Sequence, residues 1–125
     1  MKKFKRLLIV DDESAVRESL AMGLENMGWD IKEADSMDSA MDFNFPFDAY
    51  IIDHRLPDGD GLKLAQSLRA KFDKLPIILY SGYLDDEIRR KALKQEIDAT
   101  LKKPFKFEEV SKILESITDK DDRKK

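Results

Sequence analysis

Short apolar runs recur along the chain, and this pattern restricts the fold more than any other feature. Residues 7–10, 50–52 and 77–80 are continuous apolar runs, as expected for strands that are buried on both faces. Residues 29–34 alternate in character and residues 98–102 are only partly apolar, which predicts two edge strands. Because amphipathic stretches separate most of these runs, the sequence predicts five alternations of strand and helix. Such alternation is typical of a parallel sheet with helices on both faces.

Five stretches have the apolar spacing of amphipathic helices. Their apolar stripes are Val16, Leu20, Leu24 and Met27; residues 37–43; Leu62, Ala65 and Leu68; Ile88, Ala92 and Leu93; and Val110, Ile113, Leu114 and Ile117. Ser14 is placed to cap the first helix, and Gly28 is placed to end it. We therefore expect one domain over residues 5–117. Residues 118–125 lack apolar anchors and are predicted to form a flexible tail or the start of a linker.

Composition excludes several classes of site. The 125 residues contain no cysteine, so disulfides, thiolate zinc sites and cysteine nucleophiles are all excluded. The single histidine, His54, excludes multi-histidine metal sites and argues against a Ser-His-Asp triad. A net charge of −3 argues against direct nucleic-acid binding. The apolar run after the basic N-terminus is too short for an export signal, and no run is long enough to span a membrane, so we expect a cytoplasmic protein without membrane contact.

Polar residues follow four of the five predicted strands. Asp11 and Asp12 follow the first strand, Asp53 ends the third, Ser81 follows the fourth and Lys103 follows the fifth. In a parallel sheet these strand ends lie at one edge, where open α/β sheets bind their ligands. We therefore expect these five side chains to share one site.

Three carboxylates in one pocket require a cation. At about 5 Å and an effective dielectric near 20, each pair repels by roughly 3 kcal/mol. Oxygen ligands without histidine or thiolate select a hard divalent ion such as Mg²⁺. Lys103 supplies a fixed cation, and Ser81 supplies a hydroxyl that can donate to an oxyanion. A carboxylate in these surroundings is equipped to attack a phosphoryl group.

In order and spacing, these motifs resemble the receiver domain of a two-component response regulator over residues 5–117. The matching segments are Leu8-Ile9-Val10-Asp11-Asp12-Glu13, residues 53–61 (Asp-His-Arg-Leu-Pro-Asp-Gly-Asp-Gly), Ser81-Gly82 and Lys103-Pro104-Phe105. The resemblance implies a flavodoxin-like fold, with a five-stranded parallel sheet of order 2-1-3-4-5 and five helices on both faces. It also implies a phosphoacceptor signalling switch rather than an enzyme with an external substrate.

The resemblance assigns roles at the acidic end of the site. Asp53 would accept the phosphoryl group from a sensor histidine kinase or a phosphotransfer protein. Asp12, Asp53 and the backbone carbonyl of Arg55 would ligate Mg²⁺, and Asp11 would act on the metal through water.

On the other side of the site, Ser81 and Lys103 would contact the phosphoryl oxygens. The Lys103-Pro104 bond is expected to be cis. One position departs from the family pattern, because Thr100 stands where receivers usually carry an aromatic residue that moves on activation. Signalling is then expected to depend on Ser81 and the loop that follows it, with Tyr83 as a substitute for the aromatic.

Three residues near the site are open to interpretation. His54 adjoins Asp53, but neighbouring strand residues point to opposite faces, so a loop or surface role is favoured over phosphate transfer. Arg55 and Tyr83 each lie two positions past a site residue. Our hypothesis is that these two bulky side chains slow the attack of water on the phosphoaspartate.

The fourth helix and fifth strand carry a group of basic residues, namely Arg89, Arg90, Lys91, Lys94 and Lys102. A solvated polar face is the default interpretation. The alternative is a docking surface for an unknown downstream target, because the fourth helix, fifth strand and fifth helix form the usual output face of receivers. Phe107 is either an anchor on that face or a core residue.

Three other functions are alternatives to a signalling switch. A pseudo-receiver, which binds partners without accepting phosphate, usually lacks the phosphoacceptor, the acidic pair or the lysine. A haloacid-dehalogenase-type enzyme needs an Asp-x-Asp motif where this chain has Asp11-Asp12-Glu13. A flavin carrier is disfavoured because the same acidic turn would repel a phosphate. Met1 lies just ahead of the first strand, which favours an N-terminal receiver, either alone or at the start of a longer protein.

Overall fold

A computed structural model describes residues 5–123, with side chains described as far as residue 118. It contains seven strands and five helices within that range. The strands are β1 (Arg6–Val10), β2 (Asp30–Ala34), β3 (Ala49–Asp53), β4 (Arg55–Leu56), β5 (Gly59–Asp60), β6 (Ile77–Ser81) and β7 (Ala99–Lys102). The helices are α1 (Ser14–Glu25), α2 (Met37–Met41), α3 (Gly61–Phe72), α4 (Asp86–Lys94) and α5 (Phe107–Arg123).

Five of the strands form one parallel sheet, in the order β2-β1-β3-β6-β7. This is the predicted order 2-1-3-4-5, because β4 and β5 form a separate two-stranded hairpin between β3 and α3. The two predicted edge strands, β2 and β7, are confirmed as the edges. The register aligns Asp53 with Tyr80 and Ser81 with Lys102, so the polar strand ends lie side by side.

Two apolar clusters cover the two faces of the sheet. Leu8, Val10 and Ile52 contribute to one cluster, which packs against α2, α3 and α4. Leu7 and Ile9 contribute to the other, which packs against α1 and α5. Because successive strand residues point to opposite faces, a continuous apolar run supplies both clusters at once. The prediction of doubly covered strands is therefore confirmed.

Three local predictions about helices are wrong. Ser14 is the first residue of α1 rather than its cap, since Glu13 occupies the capping position without a side-chain capping bond. Met27 lies beyond the end of α1 and is 50% exposed. Leu93 is 77% exposed, because α4 is a nine-residue helix whose only fully buried side chain is that of Ala92.

The last helix extends past the predicted domain end. The α5 backbone continues to Arg123, and Thr118 is buried with its hydroxyl donating to the carbonyl of Leu114 at 2.7 Å. Residues 124–125 and 1–4 lie outside the described residues. None of the helices in the described part of the chain has the length and apolar character that a membrane crossing requires.

Candidate functional site

The polar residues that follow the strands meet at the carboxyl edge of the sheet. Asp11 follows β1 directly, Asp53 ends β3 and Ser81 ends β6. Lys103 follows β7, and its backbone N–H donates to the carbonyl of Ser81 at 2.8 Å. The Lys103-Pro104 peptide bond is cis, as predicted. The structure therefore brings together side chains from four separate strands.

The ammonium group of Lys103 lies at the centre of the site. Its Nζ is 3.1 Å from Asp11 Oδ2, 3.1 Å from Asp53 Oδ2 and 3.2 Å from Glu13 Oε1. One cation therefore contacts three carboxylates, which offsets their mutual repulsion.

The acidic cluster differs in one member from the predicted set. Carboxylate oxygens of Asp11, Glu13 and Asp53 all lie within 4.8 Å of one another, and the described residues contain no other such group. Asp12 is exposed and lines the same pocket without belonging to this cluster. Glu13 was missed from the sequence. The sequence did contain a signal for it, because Glu13 follows Asp11 by two positions and residues two apart in an extended chain point to the same side. In the structure the backbone of Glu13 is extended.

Burial and charge shift the ionisation of these groups. Burial raises the pKa of Asp53 to about 6, an increase that the charge of Asp11 reinforces and Lys103 only partly opposes. Burial also acts to raise the pKa of Asp11, but hydrogen bonds from Tyr80, the Glu13 N–H and Lys103 outweigh it, so that pKa lies below its usual value. For Lys103, burial acts to lower the pKa, but the neighbouring carboxylates raise it above its usual value. At neutral pH the site therefore holds an ionised Asp53 beside a firmly protonated lysine.

Gly61 packs closely against the backbone of Asp53. A Cβ atom on Gly61 would lie 2.2 Å from the backbone oxygen of Asp53, and the Gly61 N–H donates to the carbonyl of His54 at 2.7 Å. Only a residue without a side chain fits this contact. The Arg55 N–H donates to Asp53 Oδ1 at 3.3 Å, and Asp53 is only 7% exposed.

An open pocket of about 550 Å³ surrounds these groups, and its walls come from the segments at the ends of four strands, β1, β3, β6 and β7. The lining residues are Asp12, Glu13, Asp53, Arg55, Leu56, Pro57, Ser81, Gly82, Tyr83 and Lys103. The Ser81 hydroxyl donates to the Tyr83 carbonyl at 2.9 Å and accepts from the Tyr83 N–H at 3.1 Å. Ser81 is therefore bonded to its own loop, and the exposed Tyr83 side chain stands beside the pocket mouth.

A second residue missed from the sequence is Tyr80, which precedes Ser81 in β6. Its ring is fully buried, yet its hydroxyl donates to Asp11 Oδ2. Burial and the neighbouring carboxylates raise the pKa of this phenol, so it stays protonated as a donor. Its sequence context, an aromatic within an apolar run, gave no sign of this polar contact.

The oxygen-rich donor set fits a hard divalent cation. Three carboxylates within 4.8 Å, with neither histidine nor cysteine among them, match the ligand preference of Mg²⁺. Because the ligands reach the pocket from the strand ends, a bound ion would leave room for phosphate oxygens in the open volume above it.

An open parallel sheet that carries an acidic pocket and a lysine at its carboxyl edge defines a CheY-like α/β domain. The chain belongs to the response regulator receiver domain family, whose family model matches residues 7–115. The curated relatives include a probable transcriptional regulatory protein of Picosynechococcus, 32% identical over 84% of this chain and 45% of that protein. They also include the response regulator MprA of a Mycobacterium species, 37% identical over 84% of this chain and 46% of that protein.

Solved structures agree with this assignment. A CheY-like response regulator receiver domain protein of Methanospirillum hungatei is 25% identical, with a TM-score of 0.93 over 98% of this chain and 100% of that one. The non-phosphorylated HemR receiver domain of Leptospira biflexa is 28% identical, with a TM-score of 0.85 over 91% of this chain and 94% of that one. The chain spans about half the length of the curated relatives it matches.

Proposed function

We propose that the protein is a signalling switch in which Asp53 accepts a phosphoryl group from a phosphohistidine on a sensor histidine kinase or a phosphotransfer protein. An Asp53 carboxylate oxygen would attack the phosphorus, so that a P–O bond forms as the P–N bond to the histidine breaks. The observation that carries this proposal is the contact of Lys103 with Asp53 at 3.1 Å inside an open acidic pocket. Lys103 and the Ser81 hydroxyl would then hold the phosphoryl oxygens.

We propose that the reaction depends on Mg²⁺. Asp12, Asp53 and the Arg55 carbonyl would ligate the ion, with Asp11 acting through water. The ion would neutralise charge on the phosphoryl group as it transfers. Glu13, which lies within the acidic cluster, adds negative charge that favours cation binding.

The loop after Ser81 is the element that would change conformation when Asp53 is phosphorylated. The Ser81 hydroxyl holds both the N–H and the carbonyl of Tyr83, so it must release the Tyr83 carbonyl in order to donate to a phosphoryl oxygen. Thr100 supplies no aromatic ring for the usual switch. Movement of the 82–84 loop, with Tyr83, would therefore carry the signal toward α4.

The proposed output face consists of α4, β7 and α5. The five basic residues of α4 and β7 are exposed: Arg89, Arg90, Lys91, Lys94 and Lys102. Phe107 does not serve as an exposed anchor, because it is partly buried and packs against the α1–α5 core. We propose that a downstream target docks on this face and that the domain itself binds no nucleic acid. We also propose that residues 5–117 form the receiver domain and that the protein is cytoplasmic.

Mass spectrometry tests the proposal directly. The protein is incubated with Mg²⁺ and a small acyl phosphate such as acetyl phosphate, and we expect it to gain one phosphoryl group. Asp53→Asn or a chelator should abolish the gain, whereas Asp58→Asn, which changes an exposed acid in the adjacent loop, should preserve it. A protein that stays unmodified would instead support the pseudo-receiver alternative. Steady turnover of the acyl phosphate without an adduct would indicate a phosphatase.

A further inference from the structure

Tyr80 joins three parts of the acidic site through separate atoms. Its hydroxyl donates to Asp11 Oδ2, and Lys103 Nζ lies over its ring at 4.4 Å from the ring centroid. Its backbone carbonyl accepts from the His54 N–H at 2.9 Å, next to the phosphoacceptor Asp53. The carbonyl bond belongs to the β3–β6 strand pairing, which any residue at this position would make. A residue that only filled the core would need neither of the two side-chain contacts.

Asp11 depends on such contacts because its carboxylate is completely buried. Its Oδ1 accepts from the Glu13 N–H at 2.9 Å, and its Oδ2 accepts from Tyr80 and from Lys103 at 3.1 Å. The ammonium group of Lys103 also forms ion pairs with Glu13 and Asp53, and it is carried on a flexible side chain. The rigid phenol of Tyr80 is therefore the side chain that fixes the direction of the Asp11 carboxylate.

We propose that Tyr80 is a positioning residue for the metal site: its hydroxyl orients the Asp11 carboxylate and thereby strengthens the binding of Mg²⁺. The inference rests on the proposed function, in which Asp11 acts on the metal. Outer-shell groups fix the orientation of the carboxylates that surround a metal and its bound waters, and their loss typically weakens metal binding by about 10- to 100-fold.

The test is a calorimetric titration of the folded protein with Mg²⁺ alone. Tyr80→Phe removes the hydroxyl but keeps the ring beside Lys103, and we expect it to bind Mg²⁺ about tenfold more weakly than the wild type. The matched control is Tyr50→Phe, because the Tyr50 hydroxyl is also buried but bonds to the backbone N–H of Phe47 in the opposite core cluster. This control should lose stability and keep its Mg²⁺ affinity. Equal affinities for Tyr80→Phe and the wild type would overturn the inference.

Phosphorylation kinetics separate positioning from general damage. With acetyl phosphate, Tyr80→Phe should need about tenfold more Mg²⁺ for half-maximal rate, while its rate at saturating Mg²⁺ stays within about twofold of the wild type, since the metal-ligating groups themselves remain. A lower maximal rate with an unchanged Mg²⁺ requirement would contradict a positioning role.

A third measurement needs no substitution at Tyr80. The chain has three tyrosines, so fluorotyrosine labelling gives three ¹⁹F signals. The signals are assigned from the one that disappears in Tyr50→Phe and the one that disappears in Tyr83→Phe. The Tyr80 signal should shift as Mg²⁺ is added, and the Tyr50 signal should not. An unchanged Tyr80 chemical shift in the Mg²⁺-bound protein would count against the inference. A wild-type protein that binds no Mg²⁺ overturns the proposed metal dependence together with this inference, whereas normal wild-type binding with an unaffected Tyr80→Phe overturns this inference alone.

Discussion

Replacing Asp53 by asparagine should stabilise the metal-free protein, although it removes the phosphoacceptor. The fold raises the pKa of Asp53 from 3.8 to about 6, so the folded state favours the neutral carboxyl even with Lys103 beside it. A shift of about two units corresponds to roughly 3 kcal/mol between the charged and neutral forms. Asparagine imitates the neutral form, and Lys103 keeps its contacts with Asp11 and Glu13. We therefore expect Asp53→Asn to raise the free energy of unfolding at pH 7.5 by up to about 3 kcal/mol.

The pH dependence gives the sign of this effect an independent check. Because the folded-state pKa of Asp53 is raised, the favourable contribution of its neutral form is fully present below pH 3.8 and is lost as pH rises through about 6. The wild type should therefore lose stability relative to Asp53→Asn across that interval. The difference between the two proteins should fall to about 1 kcal/mol at pH 4.5.

The assay is urea unfolding with a chelator present, monitored by the fluorescence of Trp29, which packs against the α1–α5 core. Asp12→Asn is the matched control, since it neutralises an exposed acid that lines the same pocket. It should change stability by no more than about 0.5 kcal/mol. Added Mg²⁺ should narrow the gap between wild type and Asp53→Asn by stabilising the wild type. The reasoning fails if Asp53→Asn is the less stable protein at pH 7.5, or if the gap is the same at both pH values.

Two further pairs of substitutions test the packing and the mouth of the site. Gly61→Ala should destabilise the protein by about 3 kcal/mol in urea unfolding, because its Cβ would lie 2.2 Å from the immobile backbone oxygen of Asp53. Gly82→Ala, which has open space around its Cβ position, should change stability by less than about 0.5 kcal/mol. Arg55→Ala and Tyr83→Ala should each speed the loss of phosphate from the phosphorylated protein several-fold, because both side chains line the pocket mouth; unchanged dephosphorylation rates would show that they do not shield it.

The strands were predictable because burial on both faces produces continuous apolar runs in the sequence. Residues 7–10 and 77–80 form continuous apolar runs, and every one of these residues is buried in the structure. The convergence of Asp11, Asp53, Ser81 and Lys103 then followed from the geometry of parallel strands. The order itself came from the resemblance to receivers.

Side-chain reach was harder to predict than strand position. Tyr80 was treated as a core aromatic because periodicity records which face a residue points to, and gives no information on where a phenol hydroxyl ends. The prediction that Leu93 belongs to a buried stripe is wrong for a related reason. Its helical spacing suits a buried stripe, but α4 is short and packs mainly through Ala92, so the position next to the stripe remains in solvent.

The residues that break the simple rules of folding are neighbours in space. Asp11 and Asp53 are carboxylates in buried positions, and Gly61 opens a helix while pressed against the Asp53 backbone. Elsewhere the described sheet is an ordinary apolar core, so these exceptions do not reflect a poorly packed protein. Local conflicts with stability are expected where a site has a chemical task. A cation that binds beside Asp53 would stabilise the ionised carboxylate, which burial and the charge of Asp11 disfavour. The same arrangement that weakens the metal-free fold therefore favours binding of the metal and of the phosphoryl group.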